Sequence, residues 1–498
     1  LNLDRDWIGL AAGIDPDGRA LIGGARRPAA RGGSYVLVTP REGGQRLVAA
    51  CGQDDVEEAV HRARRVEATG DWSLASPEQR KRVLLRWADL IGEHQEELAL
   101  LVSIEMGKPI RAALSVELRS LARSVRWYGE LCDRIEGRHP LVGPDAIALV
   151  EREPAGVIGI VLPWNFPLSM VGYDVAPALA LGNSVVVKPS EQAPFSVLRC
   201  CELALAAGVP GDALAVVPGL GPEAGAALGL HPDVDVVAVT GTERTGRSFL
   251  RYSADSNGKR IWPKLGGKTS FIICDDAPSI DAAASAAVWA AYFNQGQMCT
   301  GAARILVQAG VYEAALAAIS ERVDRLKLGD PLSWQTDVGP VALAALANEA
   351  DAAISQALSM GAAVAAGMGK PPNGLWFPPV LLRDVPRDAD IFTRELFAPV
   401  AGVARFDTLD EALELSASFG SGMAIAIWTC DMRRAFAAAR AAKVGTCWIN
   451  CFEADGMSVP FGGVKRSGYG RDKGVEALGK YSDLKTVWIE LGGSGLAW

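Results

Sequence analysis

Val157-Ile158-Gly159-Ile160-Val161-Leu162 is an apolar run that ends on Pro163-Trp164-Asn165-Phe166-Pro167, and a second run, Ser184-Val185-Val186-Val187-Lys188, follows a helical segment at 167–181. Runs that are apolar on both faces read as strands inside a sheet covered on both sides. The alternation continues with a helix through Ala207, a strand at 213–217, a helix to Leu230 and a strand at 234–240. Strands alternating with helices predict an α/β fold with a doubly wound parallel sheet, whose ligands bind beyond the carboxyl ends of the strands. A second α/β series is expected over 270–450. Upstream, 54–69 and 76–121 have helical spacing and 141–152 reads as extended. A lone strand at 485–490 is expected to pair elsewhere, for instance with another subunit.

The chain has 498 residues, enough for two or three domains, and its 49% hydrophobic and 22% charged content is ordinary for a globular protein. A net charge of −8 without a basic tract argues against nucleic acid or an anionic membrane as partner. No apolar run reaches the roughly 18 residues needed to span a bilayer, and the first residues show no signal-peptide pattern. Nine cysteines without a C-x-x-C do not form a disulfide framework. Cys200, Cys201, Cys447 and Cys451 read as packing residues, and none of the four histidines lies near a cysteine cluster, so no metal site is expected. A reducing cytoplasm fits this cysteine usage.

Phe293-Asn294-Gln295-Gly296-Gln297-Met298-Cys299-Thr300 closes an alanine-rich helical pattern. A thiol on such a polar, glycine-bearing turn is reachable by substrate and is a candidate nucleophile. Asn165, fixed between two prolines, is placed to offer an N–H to a developing oxyanion, although the pentapeptide also reads as a structural turn. Lys188-Pro189-Ser190-Glu191 follows a buried strand and could hold a ribose diol, but taken alone it is better read as a solvated loop. The stretch from Gly241 through Gly246 to Ser248 nearly spells a P-loop with Arg247 in the lysine position. It raises a nucleotide triphosphatase, against which stands the lack of a metal-binding Asp; a helix N-terminus that binds pyrophosphate is the simpler alternative.

Together these segments resemble the aldehyde dehydrogenase superfamily. The resemblance rests on the segments at 163–167, 188–191, 240–246, 265–268, 293–299, 395–400 and 460–472, in family order. The glycine-rich 470–473 and the final strand look most like the branch that oxidises amino and γ-glutamylamino aldehydes. The resemblance implies that Cys299 attacks the aldehyde carbon while Asn165 and the Cys299 N–H hold the oxyanion. Hydride then passes to NAD, with NADP as alternative, and water hydrolyses the thioester. It also implies a cofactor site of Pro163, Trp164, Lys188, Ser190, Glu191, Gly221, Gly241, Thr242, Gly246, Leu265, Glu395 and Phe397. Glu191 would repel a 2′-phosphate. The implied domains are an NAD-binding domain (1–131 and 155–262), a catalytic α/β domain (263–466) and a small β oligomerisation arm (132–154 and 467–498), in a homodimer or homotetramer.

The chain departs from that family at the base. Most hydrolytic members of that family carry Glu before Leu-Gly-Gly, and here the residue is Lys264; where the family usually carries Lys, this chain has Asp174. Asp472 matches a third, acidic relay position. Four explanations follow: an exchanged charge pair with Asp174 or Asp472 as base, a desolvated Lys264 of lowered pKa acting as base, transfer of the acyl group to coenzyme A, or a silent homologue. Met170, Tyr173, Phe293, Met298 and Phe452 are implied to line an aldehyde tunnel. Glu453 and Asp455 at its mouth would attract a cationic aldehyde, unless they are solvated loop charges.

Overall fold

The structure, a computed structural model, describes residues 5–367 and 375–491. Residues 1–4 of the expected NAD-binding domain, 368–374 of the catalytic domain and 492–498 of the arm lie outside the described residues.

The first sheet runs in the order Arg260–Leu265, Val236–Gly241, Val157–Val161, Ser184–Lys188, Leu214–Val216, Ala20–Ile22, Ala25–Arg27. Its first five strands are parallel, and the last two pairings are antiparallel. Successive side chains enter opposite cores, as strand geometry requires. Ile158, Ile160, Val185 and Val187 pack with Trp87 and Leu179, whereas Val157, Val161, Val186 and Val237 pack with Val56, Ala59 and Phe249. Burial on both faces explains the unbroken apolar runs.

The second sheet has the order Ala363–Ala366, Val380–Arg383, Val400–Phe406, Arg304–Gln308, Ser270–Ile273, Ala424–Trp428, Thr446–Ile449. It is parallel apart from its first strand. Ile305 and Ile273 face one core, Leu306 and Ile272 the other.

Three expectations change. Segment 76–121 divides into helices Pro77–Glu93 and Gln95–Met106, then a further helical stretch whose Ala113–Leu118 turn is widened to π geometry. The helix after Pro167 likewise widens over Val171–Val175, and such a bulge rotates side chains relative to a regular helix. The terminal strand is not lone. Ser482–Glu490 pairs antiparallel with Ala146–Pro154, Ser482 opposite Pro154 and Glu490 opposite Ala146. Among the described residues no helix is long and apolar enough to cross a membrane.

Candidate active site

The chain leaves helix Ile280–Tyr292 through Asn294 (φ 52°, ψ 38°), Gln295 (φ 58°, ψ 30°) and Gly296 (φ 70°), three successive left-handed residues. Two of them carry side chains, so the turn is strained and persists only because its surroundings hold it. Asn294 Nδ2 donates to Asn165 O (3.2 Å) and Gln297 O (3.0 Å). Gln295 Nε2 donates to Gly107 O (2.7 Å) and Pro340 O (2.9 Å). At Gly296 a Cβ would lie 2.2 Å from Ala398 O, so only glycine fits.

This turn presents Cys299, which is half-buried. Burial, and next the carboxylate of Glu453, push its thiol up to about 12, with the Lys264 ammonium acting in the opposite direction. The resting side chain is therefore a thiol at neutral pH, and the thiolate has to be generated in the site.

Asn165 is buried, and its Nδ2 donates to Gln297 O at 3.0 Å, two residues before Cys299. Its own carbonyl accepts from Lys108 Nζ at 2.9 Å. Lys108 also pairs with Glu117, both side chains fully buried, and Glu117 Oε1 accepts from Leu168 N at 2.9 Å. The Lys108 ammonium lies 3.8 Å from the centroid of the Phe166 ring. One buried ion pair thus grips both ends of the loop that carries Asn165.

Lys264, at the carboxyl end of its strand, belongs to a nearly buried group of two cations and two anions. Its ammonium pairs with Asp472 and lies 3.7 Å from Asp174 Oδ2. Lys480 Nζ completes the group, 2.6 Å from Asp174 Oδ1 and 2.5 Å from Asp472 Oδ1. Tyr481 OH donates to Asp174 Oδ1 at 2.6 Å. Burial alone would raise Asp174, but Lys480 and Lys264 hold it down at about 2. Burial would lower Lys264, yet Asp472 and Asp174 outweigh it and its pKa is raised. That corrects the expectation of a desolvated Lys264 with a lowered pKa, because the carboxylates that surround it keep it charged. The exchanged charges do meet, but as members of a neutral four-charge group.

On the side where the cofactor is expected, Leu265-Gly266-Gly267 passes between Glu395 and Cys299. Gly267 N donates to Glu395 Oε1 at 3.2 Å, and a Cβ on Gly267 would lie 3.3 Å from Cys299 O. Burial raises the Glu395 carboxyl to about 7. The rings of Trp164 and Phe397 meet edge to face at 5.9 Å, and Pro163 is half-buried beside them in sequence. Farther along the strand ends, Lys188 Nζ is 3.1 Å from Glu191 Oε1, which also accepts from Gly221 N at 2.5 Å. Ser190 Oγ accepts from Gln192 N at 3.4 Å. Thr242, next to Gly241, caps helix Glu243–Ala254. A Cβ on Gly246 would lie 2.7 Å from Leu265 Cδ1. Arg247, in the P-loop lysine position, is exposed and pairs with Glu243 one turn earlier on that helix.

Among the residues expected to line an aldehyde tunnel, the Phe293 ring stacks on Trp289 (4.5 Å) and Phe166 (6.4 Å), and Phe452 packs on Trp289 (5.8 Å) and Trp448 (4.9 Å). Met298 is buried. Met170 Sδ lies 2.8 Å from Lys264 Nζ, and Tyr173 OH is 2.7 Å from Ser120 Oγ. Glu453 accepts a hydrogen bond from Thr300 Oγ1. Asp455 is not the free carboxylate expected at the tunnel mouth, since Lys473 Nζ (2.6 Å) and Arg123 Nη2 (2.9 Å) neutralise it. Sequence reasoning missed Lys480, Tyr481, Thr300, Lys108 and Glu117. Only the last two leave a signal, as charges inside the apolar run from Leu98 to Leu118.

A sequence profile described as the Aldehyde dehydrogenase family matches residues 38–487. The chain is 40% identical over 488 residues to an aminoacetaldehyde dehydrogenase of Pseudomonas aeruginosa, covering 98% of each. It is 38% identical over 494 residues to the NADP/NAD-dependent aldehyde dehydrogenase PuuC of Escherichia coli, covering 97% of this chain and 98% of that one. An indole-3-acetaldehyde dehydrogenase solved with NAD+ superimposes with a TM-score of 0.96 at 38% identity, over 98% of this chain and 99% of that one. On sequence and on fold alike, the chain belongs to the aldehyde dehydrogenase family.

Proposed function

We propose that this protein oxidises an aldehyde to the carboxylic acid with NAD through a covalent Cys299 thioester. The carrying observation is the strained turn that holds Cys299 between the Asn165 loop and the Gly266-Gly267 backbone under Glu395. The residues present fit a dinucleotide: a buried Lys188 with Glu191 suits a ribose diol, and the capped helix beyond Gly241 leaves no room for a Cβ at Gly246. NAD, when bound, accepts hydride from the substrate carbon. The carboxylate of Glu191 favours it over NADP, although the relative PuuC is named for both.

Cys299 gives its proton to solvent water as Sγ bonds to the aldehyde carbon, the C=O π pair moves to oxygen, and the negative charge there is met by Asn165 Nδ2 and the Cys299 N–H. Loss of hydride leaves the thioester, and water releases the acid. Lys264 contributes a fixed positive charge that favours the thiolate and the oxyanion. It does not accept a proton. Asp174 and Asp472 already receive bonds from Lys480, Tyr481 and Lys264, which leaves them poor bases. The aromatic walls suit an aldehyde with an apolar or aromatic body. With Asp455 neutralised, attraction of a cationic aldehyde rests on Glu453 alone. Exposed Leu484, Trp488 and Ile489 on the terminal strand suit packing against a second copy of the chain.

The test is NADH formation over a panel of aliphatic, aromatic and amino aldehydes. Multiple turnovers by the wild type and none by Cys299→Ala are expected. Turnover that survives Cys299→Ala would overturn the proposal.

A further inference from the structure

Glu453 stands beside the nucleophile, because its carboxylate accepts a hydrogen bond from the hydroxyl of Thr300, the residue that follows Cys299. Its position is built. Glu453 adopts a left-handed backbone (φ 53°), and its side chain is half-buried with Oε1 bonded to the hydroxyl of Thr300, the residue next to the nucleophile. Phe452, just before it, is wedged against Trp448, Trp289 and Phe271. The charged groups around it are Lys473, which pairs with Asp455, Asp455 itself, held also by Arg123, and Cys299. Among the described residues no ion pair ties Glu453 to a cation, unlike Asp174, Asp472 and Asp455. A carboxylate without a cationic partner, next to an acyl-carrying sulfur, is what general-base hydrolysis needs.

We infer that Glu453 is the general base for thioester hydrolysis, in place of the carboxylate that Lys264 has displaced. The inference rests on the aldehyde-oxidising reading of Cys299. Glu453 takes a proton from water as the water oxygen bonds to the thioester carbon. The tetrahedral adduct then collapses, the C–S bond breaks, and the proton on Glu453 passes to the departing Cys299 sulfur. Acid is released, and both side chains return to their starting forms. Burial raises the Glu453 carboxyl, while the Thr300 hydroxyl and Lys473 oppose that rise. A raised pKa brings the base nearer the pH at which it works and gives hydrolysis an acid limb.

The test compares wild type, Glu453→Gln and Glu453→Asp by rapid-mix NADH formation and by intact mass. Glu453→Gln keeps the Thr300 contact. It is expected to give a burst of one NADH per site, to accumulate an acyl adduct on Cys299, and to turn over about 10²–10⁴-fold more slowly. Its residual turnover loses the acid limb, and Glu453→Asp recovers part of the rate. The burst itself shows that the variant is folded. Glu453→Gln turning over at the wild-type rate without an adduct would overturn the inference and leave the Cys299 chemistry standing. So would a wild type that stalls as the acyl adduct until coenzyme A is added. Absence of a burst in the wild type with every aldehyde would instead overturn the reading beneath it.

Discussion

The ammonium of Lys264 is hydrogen-bonded to the carboxylate of Asp472, a partner 208 residues away in the chain. Through Lys480 and Asp174 this contact becomes a closed group of two positive and two negative charges. Taking charges out of water is expensive, and only mutual pairing makes it tolerable. Removing one member strands the others.

Lys264→Met should therefore destabilise the protein by about 3–5 kcal/mol, the usual consequence of leaving a buried charge uncompensated. Lys264→Met with Asp472→Asn should recover much of that loss, because the pair leaves together. Urea unfolding of the two variants checks this.

The same group sets a wide pH window. The pKa of Asp174 is depressed, to about 2, so its contribution to stability is present above the ordinary carboxylate range and fades as pH falls from about 4 to 2. Lys264 is raised, so its contribution holds below the ordinary lysine pKa and is lost only above about pH 10. A stability plateau between these limits is expected, and Asp174→Asn should flatten its acid edge. Thermal unfolding against pH measures both.

The thiol should titrate late. Alkylation of cofactor-free protein by iodoacetamide is expected to accelerate with pH well above neutrality, as a Cys299 thiol pushed up to about 12 requires. Glu453→Gln should move that profile to lower pH and Lys264→Met to higher pH. Identical profiles in all three proteins would contradict the electrostatics assigned to the site.

Asn165→Ala should lower kcat by about 10²–10³-fold with little change in KM, as loss of one oxyanion donor does. Lys108→Met should lower kcat less, since it loosens the Asn165 loop without removing the donor. Steady-state kinetics on both variants separates the two roles.

The two sheets were legible in the sequence because strands buried on both faces leave runs such as Val157 to Leu162. Cys299 was legible for a similar reason: its turn needs Asn, Gln and Gly in succession, and those residues stand out against an alanine-rich helix. Three of the four members of the charge group were legible, and Lys480 was not. Lys264 and Asp174 could be matched as exchanged partners, but Lys480 and Tyr481 reach Asp174 across 306 and 307 residues, and no local pattern announces such a contact. Sequence separation also hid one partner of Asp455, Arg123, which lies 332 residues away. Glu453 read as a charge at the tunnel mouth and not as a neighbour of Cys299, because what distinguishes it is a tertiary contact with Thr300.

The central claim is that this protein hydrolyses its thioester although Lys264 stands where a family member's base would. The most direct measurement follows NADH and carboxylic acid together over many turnovers, with no thiol acceptor present. Acid equal to NADH, both growing linearly beyond one equivalent per site, is the predicted result. NADH that stops at one equivalent, with product released only when coenzyme A is added, would contradict it.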